Sequence, residues 1–296
     1  MLRQNGIDEL IERIERDGNH RVLRRLALRQ GMTGVADDCG DTSIGLVVDV
    51  ETTGTDTSSD VIIELAMRRF RYDALGRIVK IDRAWSWRED PGRALDQDIV
   101  RLTGISDADL VGQEIDEDAA VRLLRSADLV IGHNAAFDRK FVERRLPDAA
   151  GQPWGCTCRE IDWSGSGFDG RALGWLAAQA GWFFDAHRAT HDVDAVIALL
   201  RHEMADGGTA LAQLIDSAGC PTVRVEAMGA DFHVKDSLRA RGYRWDGDTK
   251  VWAREIPASD LMAEEFWLSR NVYAPECRPR AMGPRLTEVT SRERYA

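Results

Sequence analysis

Five side chains with the right chemistry fall in three short stretches of this 296-residue chain. The first stretch is "VVDVETTG", residues 47–54, where Asp49 and Glu51 interrupt an apolar run. Leu46, Val47, Val48 and Val50 have the character of a buried strand, and an unpaired carboxylate is costly in such a place. Side chains two apart in a strand share a face, so these two acids repel each other unless a positive charge lies between them. Oxygen-only donors suit a divalent ion such as Mg²⁺ or Mn²⁺. A D-x-E pair alone is more often two solvated acids at a strand end, so other acids must converge on the same place.

Two more stretches supply them. "LVIGHNAAFDRKF", residues 129–141, puts Asp138 in the first turns of a helix that follows a strand, with Asn134 one turn earlier on the same face. Taken alone, Asp138 needs no function, since an acid is favourable near a helix N-terminus. Asn134 reads equally as an N-cap or as a group that orients a ligand. "DAHRATHDVDAVIALL", residues 185–200, carries a core-facing stripe of Val193, Val196, Ile197 and Leu200. Asp192 sits at the start of that helix, and His187 lies five positions before it in the loop.

In order and separation these segments resemble the DEDDh family of 3′–5′ exonucleases, which includes the proofreading (epsilon) subunit of bacterial DNA polymerase III. "VDVETTG" matches the first motif, "GHNAAFD" the second and "HRATHD" the His-x-x-x-x-Asp third, over residues 43–205. The resemblance implies a ribonuclease-H-like mixed five-stranded sheet flanked by helices. It also implies two divalent cations, Mg²⁺ or Mn²⁺, held by Asp49, Glu51, Asp138 and Asp192, with His187 as general base. His191 adjoins Asp192, but the family spacing selects His187. Arg188 occupies the position that the tyrosine variant of the family would need for its tyrosine. Thr52, Thr53 and Gly54 are expected to approach the 3′-terminal nucleotide. Thr103 and Ile105 of "LTGIS" are expected to pack against it, and Asn134 to contact ligand or substrate.

Three opening strands followed by strand–helix alternation hold these residues, a pattern that points to a mixed sheet between helices. Residues 1–42 read as an N-terminal helical extension of two short helices, broken at Asp17-Gly18-Asn19, and a Gly- and Asp-rich linker. These helices either pack on the nuclease domain or dock to a partner. Residues 206–274 read as a small C-terminal α+β module with strand–helix–hairpin–helix order, and 275–296 as a loose tail. In the module, arginines interleave with Tyr243, Trp245 and Trp252. That mixture suits a single-strand groove, but a small domain also needs large side chains for its core, and the core role is favoured for both tryptophans.

The net charge of −11 excludes a general duplex-coating protein. The acidity belongs to residues 1–220, with 26 Lys and Arg against 38 Asp and Glu; residues 221–296 are near neutral, with 13 against 12. No apolar run is long enough to span a bilayer and no secretory signal is recognised, so no membrane partner and a cytoplasmic location are expected. The five cysteines show neither zinc spacing nor a disulfide framework. The expected activity is metal-dependent 3′–5′ hydrolysis of single-stranded or frayed 3′ ends to nucleoside 5′-monophosphates, with DNA favoured, in proofreading or repair and in company with a DNA polymerase or repair complex. The alternatives are an exoribonuclease trimming RNA 3′ ends, and a catalytically silent subunit attached to a polymerase or to nucleic acid.

Overall fold

The computed structural model describes residues 2–35 and 40–296. The chain divides into two compact units, one of residues 1–215 with 295–296 and one of residues 216–294.

In the first unit, α1 (Leu2–Glu15) precedes two very short strands, β1 (Arg24–Arg25) and β2 (Gly31–Met32). An antiparallel meander follows, β3 (Ser43–Thr52), β4 (Ile62–Tyr72) and β5 (Ile78–Arg88). Then come α2 (Gln97–Thr103), α3 (Asp107–Leu110), α4 (Glu117–Arg125), β6 (Leu129–Gly132), α5 (Ala135–Arg145) and β7 (Trp154–Cys156). The unit is completed by α6 (Leu173–Gln179), β8 (Trp182–Phe183), α7 (Ala189–Leu200) and α8 (Ala210–Gly219), the last of which runs into the second unit.

The central sheet has the order β2-β5-β4-β3-β6-β7, with β6 parallel to β3 and β7 parallel to β6. Parallel strands sit in the interior and need apolar side chains on both faces, and β3 is buried from Gly45 to Val48. Leu46, Val48 and Val50 pack with Leu123 and Leu124 of α4 and Phe141 and Val142 of α5. The alternate residues Val47, Asp49 and Glu51 therefore face the other side of the sheet, where α7 packs across β3 and β4. The arrangement is the mixed sheet flanked by helices that the sequence led us to expect. It has a sixth strand, because Gly31 and Met32 add to the edge beside Ile81 and Lys80.

Three other expectations change. Residues 20–33 form no second helix. Arg24 and Arg25 lie extended beside Trp182 and Phe183 of β8, so backbone pairing to a distant strand overrides their helical propensity. Part of the expected linker is strand β2, and residues 36–39 lie outside the described residues. The boundary falls after Ile215 rather than after residue 205, because α8 opens against the first unit: the Thr209 hydroxyl donates to the Gly76 carbonyl at 2.7 Å.

The second unit runs β9 (Thr222–Glu226), α9 (Lys235–Ala240), β10 (Arg244–Asp246), β11 (Val251–Pro257), α10 (Leu261–Asn271) and β12 (Arg285–Val289). Its sheet has the order β10-β11-β9-β12. The segment expected to be a loose tail contributes β12, an antiparallel partner of β9, because the open edge of β9 offers unpaired backbone groups. The core comprises Val223, Val225, Leu238, Tyr243, Ile256 and Leu268. Buried Glu264 is satisfied by the Tyr243 hydroxyl at 3.0 Å, Arg241 at 3.1 Å and Arg254 at 3.2 Å.

Close approach of β3 to β4 depends on Gly45. A Cβ there would lie 2.3 Å from Cζ of Phe70, which is wholly buried and has nowhere to move. Gly45→Ala is expected to cost about 1–3 kcal/mol, read as a lower urea midpoint at unchanged slope. An unchanged midpoint would refute this packing account.

Candidate active site

The acids converge where three elements end. Asp49 and Glu51 stand at the carboxyl end of β3, the usual place for a ligand in an open α/β sheet. The register slips between Glu51 and Thr52, so the strand bulges there and turns out of the sheet. Asp138 lies in the first turns of α5 and Asp192 in the first turn of α7. Carboxylate oxygens of Asp49, Glu51 and Asp192 all come within 4.8 Å of one another. Asp138 stands beside this trio, its Oδ1 accepting the Val50 backbone N–H at 3.3 Å. Gly132 makes room for it, since a Cβ there would sit 3.2 Å from Asp138 Oδ2.

These residues line one cavity of about 300 Å³, together with Thr52, Gly54, Thr103, Asn134 and His187. His187 is exposed in the loop before α7, with a left-handed backbone at φ 62°. His191 points elsewhere, its Nδ1 lying 3.1 Å from the Asp185 carbonyl. Asn134 occupies the N-cap position of α5 at φ 132°, but its side chain makes no cap bond and is exposed at the cavity. For a non-glycine residue that backbone is strained, and such strain concentrates at functional sites.

Two expected residues are not brought into the cavity. Thr53 is turned into the 53–61 loop, its hydroxyl donating to Asp60 at 2.9 Å and accepting from Arg93 at 2.8 Å. Ile105 is fully buried with Ile63, Leu95 and Leu110. The reason is the end of α2. Gly104 caps the helix in the left-handed conformation, which reverses the chain and sends Ile105 inward, so that Leu102 and Ile99 face the cavity instead. Gly54 lines the cavity, but the room it provides is filled from within the chain: a Cβ there would meet Asp60 Oδ2 at 2.4 Å.

Other residues escaped sequence reasoning. Glu64 stands directly across from Glu51 in the β3–β4 ladder and is buried. Its carboxylate accepts from the Ser86 hydroxyl at 3.1 Å and from the Ala189 N–H at 3.2 Å, which caps the start of α7. An acid within the apolar "VIIELAM" carried the same signal as Glu51. His133 and Phe137 also line the cavity. The ring nitrogens of His133 are engaged by the Thr157 hydroxyl and the Arg171 carbonyl, each at 2.8 Å, and burial lowers its pKa, so it is a neutral wall.

The electrostatics are those of crowded acids kept from water. Burial first, then repulsion from Asp192 and Glu64, pushes Glu51 up to about 8. Burial pushes Asp138 up to about 7 and Asp192 to about 6, each held back by a backbone N–H. Asp49 is raised well above the carboxylate range by burial and by its acidic neighbours. This donor set fits a divalent cation: the oxygens are close, their mutual repulsion calls for a positive charge, and oxygen-only ligands favour Mg²⁺ or Mn²⁺.

The fold and the cavity together define an α/β domain with an all-carboxylate centre at the ends of its central strands. The chain belongs to the exonuclease family, whose model (RNase_T) matches residues 46–200, just over half of its length. It is similar to a PolC-type DNA polymerase III of Listeria innocua, 36% identical over 99 residues, which are 32% of this chain and 6% of that protein. It is also similar to ribonuclease T of Shewanella baltica, 25% identical over 178 residues, 53% of this chain and 79% of the relative. Among solved structures, E. coli exonuclease I in complex with a dA16 oligonucleotide superposes with a TM-score of 0.46 at 16% identity, over 75% of this chain and 67% of that one. The chain therefore spans only a small fraction of the PolC-type polymerases that it matches. Among the described residues, no helix is long and apolar enough to cross a membrane.

The raised acids bind protons more tightly in the folded chain than in the unfolded one. Their contribution to stability is thus complete below about pH 4, the unfolded carboxylate range. It is lost as pH rises through the folded values of about 6, 7 and 8 for Asp192, Asp138 and Glu51. With a chelator present, the thermal midpoint should fall between mildly acidic and mildly alkaline pH. Mn²⁺ should recover more of it on the alkaline side, where fewer protons must be displaced. A Mn²⁺ gain independent of pH would contradict this coupling.

Proposed function

We propose that the chain is a metal-dependent 3′–5′ exonuclease of single-stranded or frayed nucleic-acid ends. The observation that carries the reading is the convergence of Asp49, Glu51 and Asp192, with Asp138 beside them, on the floor of a cavity that has His187 at its rim. Asp49, Glu51, Asp138 and Asp192 would hold two divalent ions, Mg²⁺ or Mn²⁺. Those ions supply positive charge to the attacking water and to the leaving oxygen.

The chain's own residues do the rest. His187, exposed on its loop, takes a proton from the attacking water as that oxygen bonds to phosphorus. The bond from phosphorus to the 3′ oxygen breaks and that oxygen takes a proton from solvent water, leaving a shortened strand with a 3′ hydroxyl and a nucleoside 5′-monophosphate. Leu102, Ile99 and Phe137 offer apolar surface to the terminal base and sugar. The order and spacing of the motifs support attack at the 3′ end. DNA is the favoured substrate and a polymerase or repair complex the favoured setting, in keeping with the likeness to PolC-type polymerases; the ribonuclease T relative supports RNA as the second reading.

The test is shortening of 3′- and 5′-labelled single strands, in DNA and in RNA, with Mg²⁺, with Mn²⁺ and with chelator. Loss of the 3′ label first, abolished by chelator, is expected on at least one of the two. Asp49→Ala and Asp192→Ala should remove activity to background. His187→Ala should lower kcat by about 10²–10⁴-fold while calorimetric Mn²⁺ binding is retained. Full activity of His187→Ala, or no shortening of any strand, would overturn the reading.

A further inference from the structure

The second unit exposes aromatic rings that its own core does not use. Trp252 packs against that core, as expected of a small domain, but Trp245 stays outside it and is 54% exposed. Phe232, at the turn before α9, is 76% exposed. Leaving two large rings in water forgoes burial that a unit of this size needs, so their exposure calls for a ligand.

The rings form a row with cations between them. Lys235 Nζ lies 3.8 Å from the centre of the Phe232 ring. Lys235 and Arg239 are one turn apart on the same face of α9. The Arg239 guanidinium lies 5.8 Å from the Trp252 ring. Trp252 and Trp245 face each other across the β10–β11 pair, their rings 5.8 Å apart and edge to face. Among the described residues Arg239 forms an ion pair with the exposed Asp236 alone, at 3.2 Å, and neither Lys235 nor Arg244 beside Trp245 has an ion-pair partner. The order of these contacts is therefore ring, cation, cation, ring, ring, with Asp236 beside Arg239 and Asp246 next to Trp245.

We infer that this row is a stacking face for single-stranded nucleic acid, on which unpaired bases lie against Phe232 and Trp245 while Lys235 and Arg239 meet the phosphates. Unpaired bases offer flat faces joined by anions, which exposed rings on either side of a pair of cations can receive, whereas a duplex keeps its bases stacked inside. The class of occupant rests on the exonuclease reading; the surface rests on the second unit alone.

The test uses the full chain in chelator, so that nothing is cleaved, with fluorescein-labelled oligothymidylate, oligouridylate and the corresponding duplex, followed by anisotropy. Trp245→Ala and Phe232→Ala should each weaken single-strand binding by about tenfold without lowering the thermal midpoint. Arg239→Gln should reduce the slope of affinity against salt by about one. Single-strand binding equal to wild type in both aromatic variants, or duplex bound as tightly as single strand, would overturn the inference. The same preparations are then given Mg²⁺ or Mn²⁺. Binding that depends on Trp245 without any shortening of strands would uphold this face and sink the nuclease reading. Shortening with no dependence of binding on either ring would do the reverse.

Discussion

Repulsion among carboxylates held out of water is the interaction around which the first unit is organised. Three acid oxygens within 4.8 Å of one another, with Asp138 alongside and Glu64 behind, are unfavourable as anions at any distance the fold allows. The chain offsets this locally in several ways. Asp138 and Asp192 sit in the first turns of helices, where the backbone dipoles favour negative charge. Asp138 accepts the Val50 N–H, and Asp192 accepts the Arg188 N–H at 3.1 Å. The Arg188 side chain adds a weaker attraction toward Glu51. These devices reduce the cost without removing it, as the raised proton affinities show, and the remainder is what a bound cation would offset.

That constraint explains why the acids stand on rigid elements rather than on loops. A loop would relax and separate like charges. β3, by contrast, is paired on both sides, and α5 and α7 are held against it by apolar packing. Glu64 shows the same economy. Its carboxylate is fully committed to the Ser86 hydroxyl and the first N–H of α7, so a buried acid also fixes where Asp192 begins its helix.

What the sequence made legible follows from periodicity. Alternation placed Asp49 and Glu51 on one face of a strand. Helical spacing placed Val193, Val196 and Ile197 inward, which oriented Asp192. Glu64 lies outside the three motif stretches, although an acid inside an apolar run says the same thing there as in β3. Leu102 rather than Ile105 lines the cavity because the outcome turns on one left-handed glycine, Gly104, and no periodic pattern continues through such a cap. Strands β1, β2 and β12 were invisible for a different reason. Each is two to five residues long and exists only through pairing with a distant partner, so local propensity carries no trace of it. In the second unit, the size argument holds for Trp252 only in part, since it is half-buried and packs against the core rather than within it. That argument could not distinguish Trp245, which the cross-strand register places opposite Trp252 but beyond the packed side chains.

The division between a stiff floor and a less buried rim has a physical basis. His187 and Asn134, which both line the cavity, are non-glycine residues with positive φ. Such a backbone persists only where the surroundings over-determine it. For Asn134 the determinant is the abrupt passage from β6 into α5 within two residues. For His187 it is a loop pinned at both ends. On one side, β8 pairs with β1, and Arg25 holds Asp185 at 2.9 Å. On the other, α7 is capped by Glu64 and by its own Asp192. The segment Arg24–Arg25 lies outside the region matched by the family model, yet it pairs with β8, the strand that precedes the loop carrying His187. The loop that carries His187 is thus flanked by contacts from the family domain and from residues that precede it in the chain.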